Sequence, residues 1–415
     1  MRISRIVSRA LMGIGLVLLT GTAFGQNITL GSWRTDDVAK WANIIAAFNK
    51  TNPNIMVKFD PTNPPDYNAT LRLQLENGNG PDLYFSRSFG VGQALFTAGF
   101  DLDLSDFPAI KQAFAPGSLL AWKMDDGKVF AQPLGAVSHG VYFNKDIFAK
   151  NGIAVPKTWE ALIAAAKKLK AAGITPFANG IADQWDIYEI VLSGILANNT
   201  GGAAGRLAYE AGKRHFNDAA IVNSFAELKE MAPYLPKGFE ALTYTDAENL
   251  FKLGNAAMLF DGSWELPDIQ ANVTFAWSAF AIPPPAGKPA FVVFFPDSAI
   301  AINAKSKNID AAKTFLTWLA SPAGAKAIGD NLVGFFPMSK AAVKLDNEYA
   351  NTFLGFNKGT GQDIRFTWSK LDAGKPTAYS LLVDNANNVL KGTVTPKQAA
   401  DNLAAGLAQW YKPSM

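Results

Sequence analysis

The chain has 415 residues, of which 49% are hydrophobic and 18% charged, with no cysteine and only 2 histidines. This excludes a disulfide framework, a cysteine-ligated metal, a thiol nucleophile and a lipid-modified cysteine anchor. Arg2, Arg5 and Arg9 supply the formal net charge of +3; the remaining chain is neutral and offers no concentrated positive face for nucleic acid or an anionic membrane.

Those arginines precede the apolar run Ala10 to Leu19, and the small-residue tail from Gly21 to Gly25 offers a cleavage site before Gln26. Residues 1–25 read as a signal peptide, because a spanning helix needs roughly 20 apolar residues and this run is shorter. The expected product is a free periplasmic monomer, and its size calls for two lobes.

Downstream, Ile28 to Ser32 reads as a strand. Asp36 or Asp37 then caps a helix with Val38, Trp41, Ile44, Ile45 and Phe48 inward, and Pro53 ends it. Ile55 to Phe59 is a second strand, Tyr67 to Leu75 a helix, and Asp82 to Ser86 a third strand. A βαβαβ run of this kind predicts a parallel sheet flanked by helices, with ligands at the carboxyl ends of the strands. Trp33, Arg34 and Thr35 follow the first strand there, and Ser86 and Arg87 close the third. Gly90 and Gly92 begin a dinucleotide-like pattern, but Leu95 occupies the place of its third glycine.

Phe130 to Phe143 and Phe291 to Ile302 are long apolar runs, the second interrupted by Pro296 and Asp297, and both read as crossings between lobes. Val141 to Phe143 forms a strand, Asn144 to Asp146 a polar turn, and Thr158 caps a helix with Leu162, Ala165, Ala166 and Leu169 inward. Phe225 to Ala232 and Asp246 to Leu253 read as helices and Ala256 to Phe260 as a strand. Asp310 to Leu319 and Pro322 to Ile328 form a helix pair, the second capped by Ser321. Pro396 to Trp410 is a structural helix. Trp41, Trp159, Trp318 and Trp410 lie at apolar helical spacing and belong to the core.

Two motifs, VYFNKDIFAKNGIAVPKTWEALIAAAKKLKAA from Val141 to Ala172 and GNAAMLFDGSWE from Gly254 to Glu265, resemble signatures of the carbohydrate-binding, extracellular solute-binding proteins of bacterial ABC importers. The resemblance covers nearly the whole chain after residue 25. It implies an α/β fold of type II, maltose-binding-protein-like, with two lobes, each a mainly parallel sheet flanked by helices, joined by three crossings. The third crossing, at Val333 to Met338, rests on the resemblance. The lobes are then expected at 26–135 with 296–334, and at 136–295 with 335–415. The implied partners are a mono- or oligosaccharide in the inter-lobe cleft and the permease of the importer. No cofactor, metal or nucleic acid is expected.

Trp264 is the leading sugar-stacking candidate, because an indole can cover the C–H face of a pyranose and leave its hydroxyls free. Trp33 and Trp185 are further stacking candidates. Sugar hydroxyls both donate and accept, so Arg34, Ser86, Arg87, Asp261, Glu265, Asp297 and Arg365 are candidate polar partners. Asp297 stands out as a charge inside an apolar crossing that needs a partner or ligand. The resemblance places cleft residues in the first crossing, where Val137 is apolar, so Ser138 or His139 is expected to take that role. Two readings compete with sugar capture: a periplasmic glycosidase or lyase using carboxylates among Asp261, Glu265 and Asp297, and a receptor of the same fold for a non-sugar solute.

Overall fold

Three parallel strands with intervening helices begin the described chain, in a computed structural model that describes residues 26–341, 343–366 and 370–412, excluding the side chains of residues 64 and 65. Residues 1–25, read above as a signal peptide, lie outside the described residues. Strand β1 (Gln26–Ser32), helix α1 (Val38–Asn49), strand β2 (Ile55–Pro61), helix α2 (Pro64–Glu76), strand β3 (Leu83–Arg87) and helix α3 (Gly90–Thr97) follow in order. β1 pairs in parallel with both β2 and β3. Helix α1 buries Trp41, Ile44 and Phe48, but Val38, expected inward, is half exposed. Asp37 does not cap it, because Arg34 and Lys40 engage its carboxylate at 2.6 and 2.8 Å.

Strands β4 (Gln132–Asn144), β5 (Thr175–Phe177), β6 (Ala256–Gly262), β7 (Trp277–Phe280) and β8 (Phe291–Ile302) continue the sheet, with short β9 (Phe336–Pro337) and β10 (Gly361–Asp363). The path runs β2-β1-β3-β8-β4-β6-β5, with β7 and β9 also on β4 and β10 on β8. β4 and β8 hold it together. Residues 132–138 of β4 pair with β8, whereas residues 139–144 pair with β6 and β7. Every residue of β4 is buried. β8 likewise pairs with β10 at its start and with β3 at its end.

Pro296 and Asp297 interrupt the apolar run but not the strand β8. The strand runs through them, and the missing proline N–H is accommodated by a register shift opposite Gly135 and Ala136. Asn144 does not form an open turn either; its side chain accepts from the Ile147 amide at 2.9 Å and caps the helix Lys145–Lys150. Thr158 caps the helix Trp159–Ala171 as expected. Trp41 and Trp159 are buried, but Trp318 and Trp410 are only half-buried; Trp410 lies beyond its helix, where its indole N–H donates to the Pro376 carbonyl.

Apolar side chains gather mainly in two clusters. One draws chiefly on residues 28–137 and 293–335, the other chiefly on 141–282 and 366–407. The junctions expected at 135/136, 295/296 and 334/335 fall inside β4, inside β8 and just before β9. In the second cluster, Asn179 behaves as an additional residue of β5. Its Nδ2 donates to the Phe260 carbonyl at 2.9 Å and its Oδ1 accepts from the Phe260 amide at 3.0 Å. Asn179→Ala would leave both buried backbone groups unpaired, so it should lower unfolding free energy by about 2 kcal/mol or more in urea titration.

Candidate functional site

The carboxyl ends of β1 and β3 converge with β8 on a narrow cavity lined by Trp33, Arg34, Asp37, Phe85, Leu134, Asp297, Ser298, Leu332 and Phe335. Its volume of about 10 Å³ is roughly what one water requires. Trp33 is buried and wedged edge-on against Tyr67 and Phe85. The Arg87 guanidinium covers the Trp33 ring, 3.7 Å from its centroid. The Trp33 face expected to receive sugar is therefore occupied by Arg87.

Arg34 stacks over Phe335 at 4.8 Å and grips Asp37 through Nε at 2.6 Å and Nη2 at 3.2 Å. Burial works against the Arg34 charge, but the hydrogen bond and charge of Asp37, with Asp297 beyond it, hold its pKa above the ordinary value. Arg87 differs. Burial pulls its pKa down against the opposing charges of Asp297 and Glu189. Among the described residues neither Arg87 nor Asp297 makes an ion pair or a side-chain hydrogen bond, though each lies in the other's field.

The opposite wall is built around Trp264. Its indole N–H donates to the Tyr244 hydroxyl at 2.9 Å, and that hydroxyl donates to Asp261 Oδ1 at 2.8 Å and lies 3.3 Å from Glu265 Oε1. The ring lies flat over Gly262, where an added Cβ would come within 2.0 Å of it. Trp264 is half-buried in a single 3-10 turn, packing against both apolar clusters rather than standing free in a loop. Trp185 packs on Tyr244 with ring centroids 4.9 Å apart, so the second stacking candidate extends the same aromatic wall.

His139 meets the Trp264 ring edge-on at 5.6 Å, and Arg365 Nη2 lies 3.3 Å from its Nε2. Burial, assisted by the Arg365 charge, drives the His139 pKa well below the usual histidine range, so the ring is neutral at neutral pH. Arg365 pairs with Glu189 at 2.6 Å and stacks over Phe295 at 4.2 Å, while the Tyr379 hydroxyl donates to Glu189 at 2.8 Å. The charges of Glu189 and Arg365 reach Arg87 on the first wall. Phe295, beneath Arg365, also packs on Phe89, two residues from Arg87, so the two walls adjoin.

Several expected hydroxyl partners lie beneath the surface instead. Ser86 is fully buried with its hydroxyl 3.3 Å from the Arg87 carbonyl. Ser138 is also fully buried, its amide donating to the Ser263 hydroxyl at 3.0 Å. Asp261 is fully buried, and its Oδ1 accepts from both the Tyr244 hydroxyl and the Gly262 amide. Tyr244, Ser263, Glu189, Phe295 and Phe335 are site residues that the sequence reading did not single out. Glu189 carried a usable signal: one charge inside the apolar run IYEIVL needs a partner, the same logic that drew attention to Asp297.

Carboxylates crowd behind Trp264. Burial and the Glu248 charge raise Glu265 to about 8, and burial with the charges of Glu265 and Glu248 raises Asp261 well above the carboxylate range. The nearby Lys252 is engaged by Asp268. A folded pKa raised above the unfolded value gives stability that is present at low pH and lost as pH rises through the folded value. Unfolding free energy should therefore fall between the ordinary glutamate pKa and about pH 8, and Glu265→Gln should remove that part of the fall. Urea titrations of both proteins across this range check it; equal slopes would refute it.

Solved structures share this architecture. The solute receptor AcbH, described as exclusively preferring β-D-galactopyranose, superposes with a TM-score of 0.79 at 18% identity, covering 94% of this chain and 100% of the other. RafE in complex with raffinose superposes at 0.76 with 23% identity, covering 93% and 100%. Lobes joined by long crossing strands, with this likeness, define the type II periplasmic-binding fold. Residues 31–326 match the family of bacterial extracellular solute-binding proteins, and the chain belongs to that family. A multiple sugar-binding protein of Streptococcus mutans is 27% identical over 371 residues, 84% of each chain. The sn-glycerol-3-phosphate-binding periplasmic protein UgpB of Brucella abortus is 29% identical over 181 residues, 42% of this chain and 41% of the other.

Proposed function

We propose that the protein captures a carbohydrate between its two walls in the periplasm and presents it to the permease of an ABC importer, without chemical turnover. The observation that carries this is the pair Arg87 and Asp297, a donor and an acceptor with no direct partner among the described residues, set between Trp33 and the Trp264 wall. Neighbouring sugar hydroxyls can accept from a guanidinium and donate to a carboxylate at once, while aromatic rings cover the C–H face. The names of the Streptococcus relative and of the raffinose-bound and galactose-preferring receptors support the ligand class.

The cavity beside Trp33 is too small for a sugar, so the walls must part to admit one. We assign the moving bodies to residues 26–135 with 296–334, and 136–295 with 335–415, with residues 1–25 as the export signal. Among the described residues no helix is long and apolar enough to cross a membrane. Hydrolysis would need two carboxylates facing a substrate across open space. Of Asp261, Glu265 and Asp297, the first is fully buried and the second is turned to the Tyr244 hydroxyl and the Glu248 cluster behind Trp264, which leaves Asp297 alone on the cavity.

Calorimetry with mono-, di- and oligosaccharides and sn-glycerol 3-phosphate tests the reading. Saturable heat from a sugar is expected; a response to the glycerol phosphate alone would overturn the carbohydrate assignment, and product formed from the bound sugar would overturn the binding-only assignment. Trp264→Ala should weaken the best sugar by about tenfold or more, roughly 1.4 kcal/mol, with a folded circular-dichroism spectrum. Asp297→Asn keeps the side-chain volume but removes the charge, and should weaken binding with no loss of thermal stability.

A further inference from the structure

A second cavity of about 380 Å³ opens between α2 and α3, lined by Tyr67, Asn68, Leu71, Phe85, Arg87 and Val91, among others. Ligand pockets begin at roughly 300 Å³, so this space is large enough to hold part of a ligand, unlike the space beside Trp33. The two cavities are joined through shared structure. Phe85 lines both, and Arg87, which lines the second, lies on the Trp33 ring that lines the first. Buried Leu71 and Leu95 provide apolar lining, the exposed Asn68 amide a polar group, and Gly90, Val91 and Ala94 leave the α3 side open.

Resting on the carbohydrate reading, we infer that this groove is an accessory subsite for a glycosyl unit linked to the sugar in the central cleft, so that the ligand is an oligosaccharide lying across Arg87. An apolar base suits the C–H face of a ring, and an amide at the margin suits its hydroxyls. Arg87 has both sides to serve: its plane is held by Trp33, and no carboxylate among the described residues takes its N–H groups. It can therefore donate to hydroxyls of consecutive units.

Gly90 allows a selective block. A Cβ there meets nothing within 4 Å and its backbone is not left-handed, so a larger side chain can enter the groove without disturbing the fold. The probes are matched pairs: galactose and raffinose, xylose and xylotetraose, N-acetylglucosamine and chitotriose, glucose and maltotetraose. Wild type should bind the longer member of one pair at least tenfold more tightly. Gly90→Leu should lose most of that gain while changing the monosaccharide affinity less than twofold, and Asn68→Ala should lose part of it. Equal affinity within every pair, or a Gly90→Leu loss equal for both members, would overturn the subsite and leave the carbohydrate reading standing. Silence toward all eight sugars would overturn both.

Discussion

One hydroxyl sits where three segments of the chain meet. Ser263 Oγ accepts from the Ser138 amide at 3.0 Å and donates to the Gly334 carbonyl at 2.5 Å. Ser138 is the last residue of β4 paired with β8, and His139 the first paired with β6. A buried backbone amide at such a change of partner must find an acceptor or cost about 1–3 kcal/mol. Gly334 approaches so closely that a Cβ would fall 1.8 Å from the Ser263 carbonyl, and its φ of +90° is one that glycine adopts freely. The neighbours of this knot are His139 and Trp264, so the arrangement that satisfies the backbone also places the aromatic wall.

Around that knot the charges are arranged by commitment. Arg34 belongs to Asp37 and Arg365 to Glu189, each pair within 2.6 Å and each guanidinium also over an aromatic ring. Such pairs fix side-chain directions more than they add stability, since desolvation consumes much of the attraction. Arg87 and Asp297 are held nearby by rings and backbone. Opposite charges held in place in this way, with no ion-pair partner among the described residues, are preorganised for a ligand.

Local order was legible in the sequence, and long-range commitment largely was not. Period-two and period-3.6 patterns located β1 to β3 and their helices, and the small-residue turn before Trp264 marked a strand end. Asn144 was misread because a polar residue after a strand suits either a turn or a cap; only the Ile147 amide decides between them. Trp33 was read as available, but nothing in its neighbourhood of the chain announces that Arg87 lies on its face. Asp261 and Glu265 looked alike as acidic neighbours of Trp264, yet Asp261 lies on β6, which is buried along its whole length, while Glu265 sits in the turn beyond it and stays half-buried. The Arg365, His139 and Glu189 group joins segments remote in sequence, and no local pattern encodes it.

The pairing of β3 with β8 has a consequence for the order in which the molecule is made. Residues 83–87 are flanked on one side by β1 and on the other by residues 298–302. Until that late strand emerges, the first sheet ends in an open edge whose buried residues have no cover, and closing so long a loop is slow. The start of the same strand, residues 291–293, pairs with β10, which is made later still. A chain of this topology stays threadable for most of its length. For a protein read as crossing a membrane before it works, late closure keeps the polypeptide in the only form a narrow translocation channel can accept.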